Sequence, residues 1–262
     1  MIKLKNIKFP KTSFPVIQID NLLSDSICEK LKKDIQRQKK FDDFVMNGRN
    51  RINKGSSTFK SFLEKSKNAK KIYNSLNSKS TFEKILGIFL YKFQNFSWKF
   101  QGKKLNYSKI NYGIQKGKIL TKQKQKDKKK DIVNLDIDFS ISQNGYFREP
   151  HRDRSTRIIN FLIYLNSIPK KNGGAFEIFK TKKKYGSKLS MYPRFLKKNA
   201  VKIESKFQPK KSQALFFLSS PNSYHGVSKF FSKNKAKRVF IYGSFSLNKP
   251  VKWFFVSKRI ND

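Results

Sequence analysis

His151, Arg152 and Asp153 stand consecutively in the stretch NGYFREPHRDRSTRIINFLIYLN, which runs from Asn144 to Asn166. In an extended segment alternate side chains share a face, so the imidazole and the carboxylate project together and can grip one metal ion. The chain has two histidines, and the second, His225, lies 74 residues downstream, just after the apolar run QALFFL. Two histidines and one carboxylate make a facial set that holds non-haem Fe(II) on one side and leaves the opposite coordination positions open for chemistry. An H-x-D pair by itself is a weak signal, so the surroundings must carry the reading.

Those surroundings are strands. Arg157 to Asn166 reads RIINFLIYLN, dense in β-branched and aromatic residues, with Tyr164 near its end able to point into a pocket. Gly173-Gly174 opens AFEIF, and AVKIESKF, QALFFL and KRVFIYGSF follow, the last containing Arg238. Short strands separated by turn signals indicate a β-sandwich or jelly roll. The polar stretch KTKKKYGSKLSMYPRFLKKN between two of them is a place where an insertion could build a substrate pocket.

The ordered landmarks G-Y-F, P-H-x-D, Y-L-N, G-G with a short strand, a hydrophobic strand leading to H-G-V, and an Arg opening the last strand resemble the prolyl-4-hydroxylase-like branch of the 2-oxoglutarate/Fe(II)-dependent dioxygenases. The resemblance covers roughly residues 130–250. It implies a double-stranded β-helix, or jelly roll, with His151, Asp153 and His225 as iron ligands and catalytic residues, and with 2-oxoglutarate and dioxygen as co-substrates. Ascorbate is a further cofactor compatible with it. The distal carboxylate of 2-oxoglutarate needs a buried cation, and a guanidinium forms a forked, charge-assisted pair that cannot lose its proton. Arg238 is assigned that place, with Tyr164 adding a hydroxyl and Tyr146 of the G-Y-F landmark in the same co-substrate site. One departure stands: 13 positions separate His225 from Arg238, more than the family usually has, and Lys235 fits the usual count better. Arg238 is preferred because it starts the apolar strand VFIYGSF, whereas SKFFSKNKAK before it reads as a lengthened polar turn. The carboxylate at position 153 favours hydroxylation, since halogenating relatives omit it.

Upstream, FPVIQID from Phe14 to Asp20 reads as a strand. Ser26 and Glu29 have capping-box spacing ahead of Ile27, Leu31 and Ile35, an amphipathic helix. Further helices are expected from near Ser57 and near Ser80, where Ser80 and Glu83 form a second box. Residues 95–113 are expected to provide the first barrel strands, and Lys116 to Asp131 a charged loop at the active-site mouth. The fold class is therefore α+β, mainly β, a jelly roll buttressed by N-terminal helices. Residues 1–94 would hold the first strand and the helices and 95–262 the catalytic core, in one continuous structural domain.

Composition bounds the function. The 262 residues can bury a proper core, rich in phenylalanine, of which there are 26. No run of 18 apolar residues exists, so no membrane span is expected. The start lacks an uninterrupted apolar signal region and the single cysteine, Cys28, cannot form an internal disulfide, so a cytoplasmic location is expected. Oligomeric state is not indicated. The net charge is +43, from fifty lysines and ten arginines against 17 acids. Much of the lysine excess fits a composition also rich in Asn, Ile and Phe, but arginine is less easily explained that way. Four arginines, at 148, 152, 154 and 157, fall within ten residues around the metal pair. Arg148, Arg152 and Arg154 are expected to form a cationic rim for an anionic substrate, a small molecule or a peptide. The alternative is a cationic jelly-roll module that binds nucleic acid or another polyanion and carries a non-catalytic metal site. It rests on charge alone, and no nucleic-acid motif accompanies it.

Overall fold

The structure is a computed structural model and describes residues 2–45, 48–93, 99–100, 103–104, 111–112, 132–183, 193–232 and 236–248. Its elements in chain order are β1 (Ile7–Lys8), β2 (Val16–Ile19), α1 (Asp25–Gln36), β3 (Asp43–Val45), β4 (Arg49–Asn53), α2 (Ser57–Lys65), α3 (Lys67–Leu76), α4 (Lys79–Lys92), β5 (Lys99–Phe100), β6 (Lys103–Lys104), β7 (Asn111–Tyr112), β8 (Ile132–Ser142), β9 (Arg148–His151), β10 (Arg157–Tyr164), β11 (Phe176–Thr181), β12 (Val201–Phe207), β13 (Ala214–Leu218), β14 (His225–Val227) and β15 (Arg238–Leu247).

A large sheet runs β1-β2-β13-β10-β15-β8-β4-β3, with β7 beside β8, and a small sheet runs β12-β11-β14-β9. Apart from the parallel β7–β8 pair, the pairings in both sheets are antiparallel. The eight strands from β8 to β15 make the two facing sheets of a jelly roll, β8-β15-β10-β13 against β9-β14-β11-β12. The fold is thus the mainly β jelly roll buttressed by helices that the strand pattern implies.

The period of two in the strands sorts the side chains. Ile137, Phe139 and Ile141 of β8, Phe161 and Ile163 of β10, Phe216 of β13 and Ile241 of β15 face the helices and share one core with Leu31, Phe62, Ile72 and Phe89. Phe139 meets Phe59 and Phe62 at ring separations of 5.9 and 5.1 Å, so phenylalanine joins the helical layer to the sheet. The intervening residues, among them Leu162, Tyr164, Leu215, Phe217 and Phe240, face Phe176 and Ile178 of the small sheet across the barrel interior. On β8 the same alternation sends Asp136 and Asp138 to the cavity side.

Helix starts differ from expectation. Ser24, not Ser26, caps α1 by accepting from the Ile27 amide at 3.4 Å, because the stripe that must be buried is Cys28, Leu31 and Ile35. Ser78, not Ser80, caps α4, accepting from Thr81 N at 3.2 Å, and Glu83 instead faces Lys79 at 3.6 Å. Between them Ser66 ends α2 and caps α3, a break that divides the expected second helix into two. Within 95–113 only the two-residue strands β5, β6 and β7 are described, and the barrel itself begins at β8. The 116–131 loop lies outside the described residues.

Two glycines fix the strands around the site. Gly173 has φ +66°, and a Cβ there would lie 2.1 Å from the Lys229 carbonyl oxygen, so the Gly-Gly turn tolerates no side chain at its first position. At Gly226 a Cβ would approach the Arg148 carbonyl oxygen to 2.5 Å, so its absence lets β14 run against β9.

Candidate active site

His151 ends β9 and His225 begins β14, and the antiparallel register sets them directly opposite each other. Their ring centroids are 4.5 Å apart. Asp153, just beyond β9, brings Oδ2 to 3.4 Å from His225 Nε2, and one ligand atom from each of the three residues falls within 4.8 Å of the others. All three are buried. The strands between them cross the barrel and return so that one side of a small volume carries two nitrogens and an oxygen.

Each ligand atom is aimed by a neighbour. His151 Nδ1 donates to the Glu149 carbonyl oxygen at 2.7 Å, and His225 Nδ1 donates to that of Ser223 at 2.9 Å. A carbonyl can only accept, so both rings carry the proton on Nδ1 and present the Nε2 lone pair to the site. Burial, reinforced by His225 alongside, lowers the His151 pKa to about 3, and burial also lowers that of His225 despite Asp153 nearby. Neutral imidazoles are the form that binds a metal.

Burial alone would raise the Asp153 carboxyl, but Arg157 and the two histidines outweigh it and hold the group well below the usual carboxylate range. Arg157 Nη1 donates to Oδ1 at 2.7 Å, and the Tyr242 hydroxyl sits 3.1 and 3.3 Å from the two oxygens. Arg157 also donates to the Tyr242 hydroxyl and approaches Asp136 at 3.7 Å. This is the supporting shell a ligating carboxylate requires. Arg49, on β4, likewise pairs Asp138 of β8 at 2.5 Å and Ser140 Oγ at 2.8 Å.

Arg238 opens β15 and is 0% exposed, yet none of its three guanidinium nitrogens has a hydrogen-bond partner, and neither does the buried Tyr164 hydroxyl. Aromatic faces surround the cation instead: Phe240 at 4.2 Å, Tyr164 at 5.2 Å and Tyr146 at 5.7 Å from its central carbon. Burial raises the Tyr164 pKa, so the phenol keeps its proton and can donate. A buried cation without an acceptor lines the cavity that holds the triad, and with the Tyr164 hydroxyl beside it has the donors to receive a carboxylate. The donors present thus fit both Fe(II) and a dicarboxylate chelated to it. Lys235, the other candidate cation, lies outside the described residues.

The cavity encloses about 260 Å³ and is lined by Tyr146, Arg148, Arg154 and Arg238 together with the triad. Arg152 does not line it. The alternation that turns His151 and Asp153 inward turns the residue between them outward, where it bonds to Tyr224. Arg152 is therefore removed from the expected rim. Four contributors went unassigned in the sequence: Arg157, Tyr242, Arg49 and Arg194. Tyr242 had a usable signal, four residues along the strand from Arg238 and so on the same face. Arg194 had none. It enters from the polar insertion because Arg152 N donates to its carbonyl at 2.9 Å and Leu196 N to that of Pro150 at 2.9 Å, laying the segment along β9.

Residues 137–245 match the family model described as the 2OG-Fe(II) oxygenase superfamily, a segment that runs from β8 into β15 and contains the whole triad. The jelly-roll core is a 2-oxoglutarate/Fe(II) oxygenase domain. The family resemblance carried by the ordered landmarks is borne out at the level of the superfamily, and Fe(II) and 2-oxoglutarate are the oxygenase's cofactors. It is an enzyme rather than a binding module with an idle metal site. No curated protein matches the chain significantly. Solved structures similar to the oxygenase include a Pseudomonas putida prolyl-4-hydroxylase, at 13% identity over 89% of this chain and 93% of that one, with a TM-score of 0.44. A Trichoplax adhaerens prolyl hydroxylase, solved with a hypoxia inducible factor peptide fragment, is 12% identical over 88% and 83%, with a TM-score of 0.47. HygX from Streptomyces hygroscopicus, with nickel and 2-oxoglutarate bound, is 10% identical over 89% and 83%, with a TM-score of 0.45. Among the described residues no helix is long and apolar enough to cross a membrane.

Proposed function

We propose that this oxygenase is a hydroxylase of the prolyl-4-hydroxylase-like branch, acting on a small-molecule or peptidyl substrate and releasing succinate and carbon dioxide. His151, Asp153 and His225 are its iron ligands, and Arg238 with Tyr164 receives the distal carboxylate of 2-oxoglutarate, beside Tyr146. When bound, Fe(II) and 2-oxoglutarate supply the activation of dioxygen that oxidises the substrate. The observation that carries the reading is Arg238. A guanidinium buried without an acceptor costs the fold several kcal/mol, and a ligand carboxylate offsets that cost only when bound. Arg157 and Tyr242 hold Asp153 in place, and the two backbone carbonyls behind the histidines keep Nε2 free. Phe176, Phe240 and Leu162 wall the cavity with apolar surface that excludes water. A cytoplasmic setting suits a protein that consumes 2-oxoglutarate and ferrous iron.

Anaerobic addition of Fe(II) and 2-oxoglutarate should give the weak visible metal-to-ligand charge-transfer band. His151→Ala should abolish it, and Arg238→Ala should weaken 2-oxoglutarate binding by roughly 10- to 100-fold, the value of a charge-assisted hydrogen bond. A protein that binds both and shows no band, or an Arg238→Ala variant with unaltered affinity, would defeat the assignment.

A further inference from the structure

Seven of the chain's ten arginines line the active-site cavity, and among the described residues none of its fifty lysines does. A composition that favours lysine fivefold over the whole chain is reversed at this one place. Arginine is the cation with a planar fork of donors, suited to oxyanions rather than to diffuse attraction.

Most of these guanidiniums have assigned partners. Arg49 and Arg51 flank Asp138, at 2.5 and 4.0 Å. Arg157 serves Asp153 and Asp136, and Arg238 faces the co-substrate. Arg148, Arg154 and Arg194 remain, with no carboxylate within 4.0 Å of their guanidinium nitrogens and no side-chain hydrogen bond among the described residues. Arg148 begins β9 and Arg154 follows the triad carboxylate, while Arg194 is laid beside β9 by the backbone bonds between that strand and the 193–196 segment. Partial burial and then Arg154, Arg157 and Arg148 disfavour the charged form of Arg194, against the opposing pull of Asp153, so the cations and the triad carboxylate share one space. A fold assembles three like charges there at a cost that an anion would offset.

We propose that Arg148, Arg154 and Arg194 form an oxyanion subsite for the substrate, and that the substrate is a small molecule carrying a phosphomonoester. This rests on the hydroxylase reading for the position of the reacting carbon. Three unpaired cations exceed what one carboxylate can neutralise, whereas a phosphomonoester brings a charge of about −1.5 to −2 and three acceptor oxygens. The 260 Å³ cavity must also accommodate 2-oxoglutarate, and pockets for drug-sized ligands are generally about 300 Å³ or more, which favours a compact substrate over a polymer.

Three probes separate the candidate anions: methyl phosphate, a dianionic monoester; dimethyl phosphate, the monoanionic diester of a nucleic-acid backbone; and acetate. Each would be titrated calorimetrically and anaerobically into the protein holding Fe(II) and 2-oxoglutarate, at an ionic strength of about 0.15 M, where the screening length of roughly 8 Å suppresses the field of distant lysines. Methyl phosphate should bind at least tenfold more tightly than the other two. Arg154→Gln and Arg194→Gln should each weaken it at least tenfold, whereas Lys202→Gln, on an exposed position of β12, should leave it unchanged. Equal affinity for any two probes, indifference to both arginine substitutions, or loss of binding with Lys202→Gln would overturn the proposal. The charge-transfer band reports the iron and 2-oxoglutarate reading separately. A band without selective methyl phosphate binding defeats this inference alone, and selective, arginine-dependent binding without a band defeats only the hydroxylase reading.

Discussion

Arg157 shows how much of a metal site lies outside its ligands. Its bond to Asp153 Oδ1 occupies one carboxylate oxygen, leaving Oδ2 on the side of His225 Nε2, where a shared ion would sit. Without that cation the carboxylate loses both its orientation and the largest influence holding its proton affinity down. The Arg157→Gln variant is accordingly expected to bind Fe(II) roughly 10- to 100-fold more weakly, the usual cost of losing an outer-shell partner. Anaerobic Fe(II) titration of a variant whose circular dichroism is unchanged would check this, and an unaltered affinity would show that Tyr242 alone positions Asp153. In the sequence Arg157 reads only as one more positive charge near the pair, because nothing in a one-dimensional pattern tells a solvated arginine from one turned back onto a carboxylate four residues earlier.

At the scale of elements, the pairing of β9 with β14 makes the triad. The strands meet in the register that sets His151 against His225, with a bulge between that pair and Val227 opposite Arg148. Gly226 permits the approach, and Phe179 closes over it, with its ring 3.0 Å from where a Cβ would be. Gly226→Ala would push β14 away from β9 and separate the two imidazoles. Expected are a loss of about 1–3 kcal/mol of stability from overpacking and a fall in Fe(II) affinity of more than tenfold. Urea unfolding and metal titration would measure the two, and a variant with native Fe(II) affinity would show that the site does not depend on this contact. The existence of most of these strands was legible from apolar and β-branched runs. Helix starts were less so, since several serines lie near each one and only the burial of Cys28, Leu31 and Ile35, or of Phe82, Ile85 and Phe89, selects which serves as the cap.

For the molecule as a whole, charge opposes compactness. A net charge of +43 repels itself in the folded state, and the unfolded chain relieves it by expansion. One lysine adds a local cost. Lys54 is 2% exposed, donates to the Leu135 carbonyl oxygen at 2.6 Å, and is lowered by burial to a pKa of about 8 from 10.5. Below pH 8 both states carry the proton. Between pH 8 and 10.5 the folded state has released it while the unfolded chain retains it, so stability rises with pH across that window, by about 3 kcal/mol at most. Discharge of the surface lysines acts in the same direction at the upper end. Comparison with Lys54→Met isolates the single group: the stability difference between the two proteins should shift toward the native one from pH 8 to 10.5. Parallel stability curves from denaturant unfolding would show that Lys54 stays charged throughout.

The sequence by itself determined the ligand types, their order, the jelly-roll class and the need for a buried cation at the start of the last strand. Those follow from side-chain chemistry, from a period of two that any extended chain obeys, and from the family resemblance that the ordered landmarks carry. Only the tertiary structure decided that Arg152 turns away while Arg194 turns in, and that Arg157 and Tyr242 hold Asp153. It also left Arg238 and the Tyr164 hydroxyl without partners. Such outcomes depend on which segments the folded backbone brings together, and hydrogen bonds such as those between β9 and the 193–196 segment join residues whose separation along the chain carries no trace of their contact.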